Sequence, residues 1–322
     1  MRRAAYGATP MFAAQSEIVR RQPLSWGAHC SRPRAHYRRG TEATMHHFRI
    51  VNVFSIDSDR FSGNPLCVFE DARGFSNEQM QALARQMNLS ETTFVLPSET
   101  ADARVRIFTP AYELPFAGHP TLGTASVVGA GKDRVRLEMG VGLVPVTRSG
   151  ETWTLRAAKP PATRPVEATR DELAKMLGLP PGSVHDEPLW VDTGVEQLVI
   201  PIATAELVRS ARPVPELLAR WASSPSRQDA MAYLWSRSEP HWTVRFFFSA
   251  GGAILEDPAT GSACANLGGW HVARKRPLPL KATLRQGDEV GRPSRLELRV
   301  EPDGAIYVSG AVIELGRGFV QL

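Results

Sequence analysis

The sequence predicts an α+β protein of two similar halves, each a curved sheet around one central helix, with a functional site between the halves. The first observation is a repeat: GHPTLGTA at 118–125 recurs, altered, as EDPATGSA at 256–263, 138 residues later. The second is that a β-branched and aromatic run precedes each copy, at 104–109 and 243–248. Matching strand, turn and helix patterns at a domain-sized spacing indicate duplication.

The third observation is the small-residue composition of the first central helix, predicted over 121–128, because glycine and alanine let strands pack closely around it. Before it, Ser76 and Gln79 predict a capping box at the start of an amphipathic helix. Glu91 follows a turn and enters a strand. The strands expected in this half are 48–54, 66–69, 92–96, 104–109, 134–138, 143–146 and 153–156.

The proline-rich stretch 158–168 is typical of a linker between the halves. A helix then begins at Thr169 with Glu172 as its capping-box partner and ends at Gly178. The strands expected beyond it are 190–192, 198–200, 231–235, 242–248, 296–300, 305–308 and 311–315. The predicted organisation is a leader at 1–45, a first domain at 46–158 and a second at 159–322.

Each copy of the repeat predicts the start of a helix. Proline suits the first turn and restricts the residue before it, so the helices are expected to begin at Pro120 and Pro258, with His119 and Asp257 at the caps. Free backbone amides and the positive end of the helix dipole suit a bound carboxylate. The two helix starts therefore predict a carboxylate-binding site.

The charge distribution argues against a nucleic-acid partner. The whole chain carries +5, but residues 1–45 hold eight arginines and two acidic residues, a net +6, so the remainder carries −1. A near-neutral folded body lacks the basic surface that nucleic acids require. No apolar run reaches the length of a membrane span, and the three cysteines, Cys30, Cys67 and Cys264, form no CxxC pair, which favours a reducing, cytoplasmic location.

Residues 1–45 show no sustained periodicity and are interpreted as a disordered basic leader. Two explanations stay open: an Arg-rich transit peptide, or a start codon assigned upstream of a true start at Met45, which we favour.

The residues left to carry chemistry are Glu91, His119 and Asp257, beside the two helix starts. The usual hydrolase, metalloprotease and nucleotide-binding motifs are absent from the sequence. A Ser262-based triad lacks a strained elbow, and Cys264 on a small-residue helix favours packing over nucleophilic attack. A glutamate shielded from water has a raised pKa and exchanges a proton near neutral pH, which fits proton transfer on a small carboxylic acid.

Residues 47–322 resemble the phenazine-biosynthesis F (PhzF-like) family, relatives of diaminopimelate epimerase and proline racemase. The matching stretches are FSGNPLCVF (61–69), SETTFV (90–95), FTPAYELPFAGHPTLGTA (108–125), EDPATGSA (256–263) and RQGDEVGRPSRLELRV (285–300). The resemblance implies two domains, each a mostly antiparallel curled sheet or barrel around a helix. It also allows the last strands to pack back on the first domain, and it implies a homodimer.

By motif, the resemblance implies that Glu91 is the general acid/base. It likewise makes His119, Asp257, Gly118, Gly261 and Ser262 the substrate-binding residues. The implied activity is a cofactor-independent isomerase without a metal, moving a proton on a small unsaturated amino or hydroxy acid, as in a trans-2,3-dihydro-3-hydroxyanthranilate isomerase. The alternatives are an amino-acid racemase or epimerase of the same superfamily and a non-catalytic protein that binds small acids. His119 and Asp257 stand where the racemases carry a cysteine pair, which disfavours two-thiol racemisation.

Overall fold

A computed structural model describes residues 44–224 and 229–322; residues 1–43 of the predicted leader lie outside this range. The helices are α1 (Asn77–Met87), α2 (Gly118–Val128), α3 (Arg170–Met176), α4 (Ala205–Ser210), α5 (Pro215–Trp221) and α6 (Gly261–Ala273). The strands are β1 (Met45–Ser55), β2 (Asn64–Phe69), β3 (Glu91–Leu96), β4 (Ala103–Phe108), β5 (Glu113–Leu114), β6 (Arg134–Met139), β7 (Gly142–Ser149), β8 (Thr152–Arg156), β9 (Ala162–Pro165), β10 (Leu189–Asp192), β11 (Glu196–Pro201), β12 (Met231–Ser236), β13 (Trp242–Ala250), β14 (Ala253–Asp257), β15 (Leu280–Gln286), β16 (Ser294–Val300) and β17 (Ile306–Gln321). The predicted α+β class is confirmed.

The first half is a closed ring of strands. Hydrogen-bonded pairing runs β1, β2, β3, β4, β6, β7, β8 and β17, and β17 pairs with β1 to close the ring. Most pairs are antiparallel, while β2–β3 and β4–β6 are parallel. Helix α2 lies inside and contacts the strands of the ring.

The second half repeats this plan around α6. Strands β10, β11, β12, β13, β15, β16 and β17 pair in that order, with β11–β12 and β13–β15 parallel. The parallel pairs occupy the same places in both halves, and α2 and α6 each connect the strands of one of them. This correspondence is what duplication of one unit produces.

Strand β17 is shared by the two halves. Its first residues pair with β16 and β8, and residues 311–321 pair with β1. The sequence predicts two strands here, separated near Gly310. The chain instead continues through Gly310 because the ring of Phe54 packs against it: a Cβ on Gly310 would lie 2.2 Å from Phe54 Cδ1. The glycine serves close approach rather than a turn.

Helices α2 and α6 are buried on all sides at their N-terminal halves, as their apolar and small residues require. The capping boxes of Ser76 with Gln79 and of Thr169 with Glu172 are both present. The predicted linker contains a strand, β9, which pairs with β10.

The predicted helix starts are wrong by two or three residues. Helix α2 begins at Gly118 with Ala117 at the N-cap, so His119 is already helical. Proline at the third helical position is tolerated because the first four amides of a helix need no intrahelical partner. Helix α6 begins only at Gly261 with Thr260 at the N-cap, since Asp257 is held in β14 by pairing with Phe246.

Candidate active site

The N-termini of α2 and α6 meet end to end between the halves. Gly118 opens α2, and Gly261 and Ser262 open α6. A Cβ on Gly118 would lie 3.1 Å from the Ser262 backbone nitrogen and 3.2 Å from Gly261 Cα, so a side chain there would require the helices to separate. The backbone amides of two first turns are therefore concentrated at one junction.

Glu91 is the first residue of β3 and faces this junction. Its Oε2 lies 3.5 Å from Nε2 of His119. The Glu91 side chain is 16% exposed and that of His119 is 5% exposed. Neither of these two buried atoms has a hydrogen-bond partner among the described residues. Two unpartnered buried polar atoms side by side are available to hydrogen-bond a substrate at this junction.

Asp257 ends β14 and is hydrogen-bonded from both halves. Nδ2 of Asn64, on β2, donates to Asp257 Oδ1 at 2.9 Å and to the Ala259 carbonyl oxygen at 2.9 Å, and it lies 3.4 Å from His119 Nδ1. The Thr260 hydroxyl donates to Asp257 Oδ2 at 2.6 Å. Gln286 Nε2 donates to the Thr260 hydroxyl and to the Asp257 carbonyl oxygen. This network fixes the position of the second carboxylate.

Burial separates the protonation states of these groups. It raises the pKa of Glu91 to about 8, and the charge of Asp257 adds to this shift. Burial raises the pKa of Asp257 to about 6, against hydrogen bonds from Thr260, Asn64 and Ser90 that lower it. Burial lowers the pKa of His119 to about 3, opposed by a backbone hydrogen bond with Pro65. At neutral pH, Glu91 is therefore mostly protonated, Asp257 mostly ionised and His119 neutral.

The six residues predicted for the site lie together. Glu91 faces His119, Asn64 connects His119 to Asp257, and Gly118 contacts Gly261 and Ser262. Cys264 is fully buried, and burial raises the pKa of its thiol. Both findings agree with packing rather than reactivity.

Sequence reasoning missed four residues of the site: Asn64, Gln197, Thr260 and Gln286. One signal could have found the first of them. Asn64, like His119 and Asp257, directly precedes a proline. Gln286 lies in the family-matching stretch 285–300, which could also have indicated it, whereas Gln197 contacts the site from β11 and lies in none of the matching stretches.

The described residues contain no group of three or more His, Cys, Asp or Glu side chains arranged to hold a metal ion. Within the same part of the chain, no helix has the length and apolar character needed to cross a membrane.

The sequence is similar to proteins of known family. A family model described as phenazine biosynthesis-like protein matches residues 51–316. A trans-2,3-dihydro-3-hydroxyanthranilate isomerase of Pseudomonas aeruginosa is 38% identical over 295 residues, covering 86% of this chain and 100% of the relative. An uncharacterized isomerase of Pasteurella multocida is 38% identical over 281 residues, covering 85% of this chain and 94% of the relative.

Solved structures show the same fold. A PhzF-family phenazine biosynthesis protein of Bacillus anthracis has a TM-score of 0.76 at 24% identity, covering 87% of this chain and 100% of that chain. A hydroxyproline epimerase from Agrobacterium vitis, solved with bound trans-4-hydroxy-L-proline, has a TM-score of 0.59 at 13% identity, covering 86% and 93%. At these identities the likeness concerns the fold alone.

Proposed function

The chain belongs to the phenazine biosynthesis-like (PhzF) family of isomerases, and from that premise we propose that it moves a proton within a small unsaturated amino or hydroxy acid without a cofactor. The membership agrees with the resemblance that the sequence motifs indicate. The substrate class is our inference. A trans-2,3-dihydro-3-hydroxyanthranilate isomerase is among the relatives, so this compound is the first substrate to test.

The observation that carries the proposal is the burial of the Glu91 carboxyl without a hydrogen-bond partner for its Oε2 atom in the described part of the chain. Burial raises the pKa of this carboxyl to about 8, and its Oε2 is unpartnered beside two converging helix N-termini. A general acid/base works best when its pKa lies near the operating pH. In this proposal the helix amides hold the substrate carboxylate, and Asp257 binds an amino or hydroxyl group.

The reaction needs no external reactant. The ionised Glu91 carboxylate takes a proton from a substrate carbon, and the electron pair of the broken C–H bond moves into the adjacent π system. The same carboxyl returns the proton to the far end of that system. The double bond shifts, and no atom or electron is gained or lost. Neutral His119 and ionised Asp257 orient the substrate during the transfer.

Glu91→Gln tests the role directly. The amide keeps the shape of the side chain but cannot exchange a proton, so we expect turnover to fall about a hundredfold or more. Binding of 3-hydroxyanthranilate, an aromatic analogue, should remain within a few-fold. Deuterium incorporation from deuterated water, followed by mass spectrometry, and calorimetric titration supply the two readouts.

Cys264→Ala is the matched control, and it addresses the rival of thiol-based epimerisation. The thiol is buried away from solvent, so the variant should retain turnover. Loss of deuterium exchange in the cysteine variant, with exchange intact in Glu91→Gln, would reverse the assignment. Binding of the acid by wild type without any exchange across a panel of unsaturated acids would favour the non-catalytic alternative. Homodimer formation, a cytoplasmic location and the division at residue 158 stay predictions.

A further inference from the structure

Two buried amide side chains, one on β11 and one on α6, form hydrogen bonds that lead to the start of α6. Asn266, on α6, is fully buried, and Gln197, on β11, is 2% exposed. Asn266 Nδ2 donates to Gln197 Oε1 at 2.8 Å, and Gln197 Nε2 donates to the Ser262 hydroxyl oxygen at 3.0 Å. A chain of hydrogen bonds therefore ends on a residue of the proposed carboxylate site.

The backbone fixes the direction of this chain. Asn266 Oδ1 accepts from the backbone amide of Thr193 at 2.9 Å, and that amide can only donate. Asn266 Nδ2 donates to the Val195 carbonyl oxygen at 2.8 Å, which can only accept. With Asn266 oriented in this way, Gln197 must present Oε1 to Asn266 and Nε2 to Ser262.

This orientation determines what the Ser262 hydroxyl can do. Because its oxygen already accepts from Gln197, its hydrogen points to a different acceptor. The described residues provide Ser262 with no other side-chain hydrogen bond. Ser262 is partly exposed at the second position of α6, where the N-terminus of α2 meets it. The hydroxyl is thus set as a donor into the junction, alongside the helix amides.

We propose that Gln197 and Asn266 are positioning residues that hold the Ser262 hydroxyl as a hydrogen-bond donor to the substrate carboxylate. This inference rests on the proposed function, in which a carboxylate lies at the two helix N-termini. The arrangement would also select the ligand, because a fixed hydrogen-bond donor favours an anionic acceptor over an amine or another donor at that position.

Gln197→Glu tests whether Gln197 positions the Ser262 hydroxyl, and it changes the shape of the side chain little. A carboxylate still accepts from Asn266 but now also accepts from Ser262, so the hydroxyl hydrogen turns away from the junction. We expect the Kd for 3-hydroxyanthranilate to rise about tenfold or more, as for the loss of one charge-assisted hydrogen bond. The matched ligand is 2-aminophenol, which lacks only the carboxylate, and its Kd should stay within about twofold if the contact is specific.

The double variant separates orientation from charge. Ser262→Ala removes the hydroxyl, so Gln197→Glu in that background acts only through its charge. We expect the Kd ratio for Gln197→Glu to be at least about threefold smaller with alanine at 262 than with serine. Gln197→Met, which is neutral, is the second variant if the glutamate destabilises the protein. It should raise the Kd for 3-hydroxyanthranilate in the serine background only.

Equal Kd ratios in the two backgrounds would overturn the proposal, since Gln197 would then act independently of Ser262. Equal affinity of wild type for 3-hydroxyanthranilate and 2-aminophenol would also overturn it, because no carboxylate would be recognised. Deuterium exchange by wild type is measured separately. If wild type exchanges deuterium, the isomerase proposal stands whatever the Kd values show. If wild type exchanges none, the isomerase proposal fails, while the Kd values still decide whether Gln197 and Asn266 position Ser262.

Discussion

Glu91 and Asp257 are two carboxyl groups in one site whose surroundings separate their protonation. The pKa of Glu91 is raised to about 8 and that of Asp257 to about 6, both mainly by burial. The difference arises from partners: Asp257 accepts hydrogen bonds from Asn64 and Thr260, while Oε2 of Glu91 accepts none in the described structure. Divergent pKa values in neighbouring carboxyls are the pattern expected when one group transfers a proton and the other stays charged, which agrees with the roles that we propose for Glu91 and Asp257.

The first prediction concerns the pH dependence of catalysis. If ionised Glu91 starts the reaction, kcat/KM should rise with pH, reach half of its maximum near the pKa of about 8, and level off only at higher pH, where the carboxyl is almost fully ionised. Initial rates in a series of buffers at constant ionic strength measure this profile. A rate that falls over the same interval would mean that the protonated carboxyl acts first.

The second prediction concerns Asp257. Asp257→Asn removes the charge and sets an amide against two donors, Asn64 and Thr260. We expect an amino-bearing ligand such as 3-hydroxyanthranilate to lose about 1 to 3 kcal/mol of binding free energy. The ligand control is 3-hydroxybenzoate, which lacks the amino group and should lose less. Equal losses for both ligands in calorimetry would assign Asp257 a role outside amine recognition.

At this scale the sequence motifs predict the six site residues, because each lies in a stretch with a strong local pattern. They misplace the helix caps. Proline restrictions alone do not show that Asp257 is retained in β14 by its cross-strand partner Phe246. Gln197 escapes prediction because its role depends on a contact between β11 and α6, which are far apart in sequence. Gln286 lies in a stretch that matches the family, but that match alone does not show its contact with Asp257.

Among the elements, β13, β14 and α4 are joined by one buried arginine. Arg245 forms an ion pair with Glu256 at 2.6 Å, with the two side chains only 6% and 9% exposed. It also donates to the carbonyl oxygens of Val208, Arg209 and Ala211 at the end of α4. The guanidinium therefore satisfies a carboxylate and the free carbonyls of a helix C-terminus.

The third prediction follows for Arg245→Met. It leaves Glu256 buried without a counter-charge and removes the donors from α4, so we expect a loss of about 3 to 5 kcal/mol in the free energy of unfolding. Urea titration followed by circular dichroism gives the value. Arg73→Met, in a highly exposed pair with Asp71, is the control and should leave the midpoint unchanged. Equal midpoints for the two variants would show that burial of the Arg245 pair is unimportant.

Local signals predict the elements well where a cap or an alternating pattern is strong, as at Ser76 and Thr169. They miss the short helices α4 and α5, whose stability comes from packing rather than from their own length: α4 packs against β12 and β13, and α5 packs against α3. Strand β14 is missed because its five residues depend on β13 for their pairing.

For the whole molecule, the duplicated plan is visible in the sequence because the repeated motif keeps its spacing to the strand before it to within one residue. No local pattern predicts the closure of the first ring, which depends on β17 pairing with β1, although the family resemblance allows the last strands to pack on the first domain. All of the β1–β17 Cα partners are more than 250 residues apart in sequence. Pairing at that separation leaves no local pattern, and the shared strand ties the end of the chain to its first described residues.

The close approach of the first turns of α2 and α6 places two partly positive helix ends beside each other. Each helix start carries about half a positive charge, and two such charges at a shared junction repel each other. A carboxylate at the junction would act as their shared counter-ion, so folding and ligand affinity should be coupled. We expect 3-hydroxyanthranilate at a hundred times its Kd to stabilise the fold by about 2.7 kcal/mol and raise the melting temperature, as scanning calorimetry would show. At the same molar concentration, 2-aminophenol should raise it far less, and an equal rise for both would mean that the repulsion between the helices is relieved by some other group.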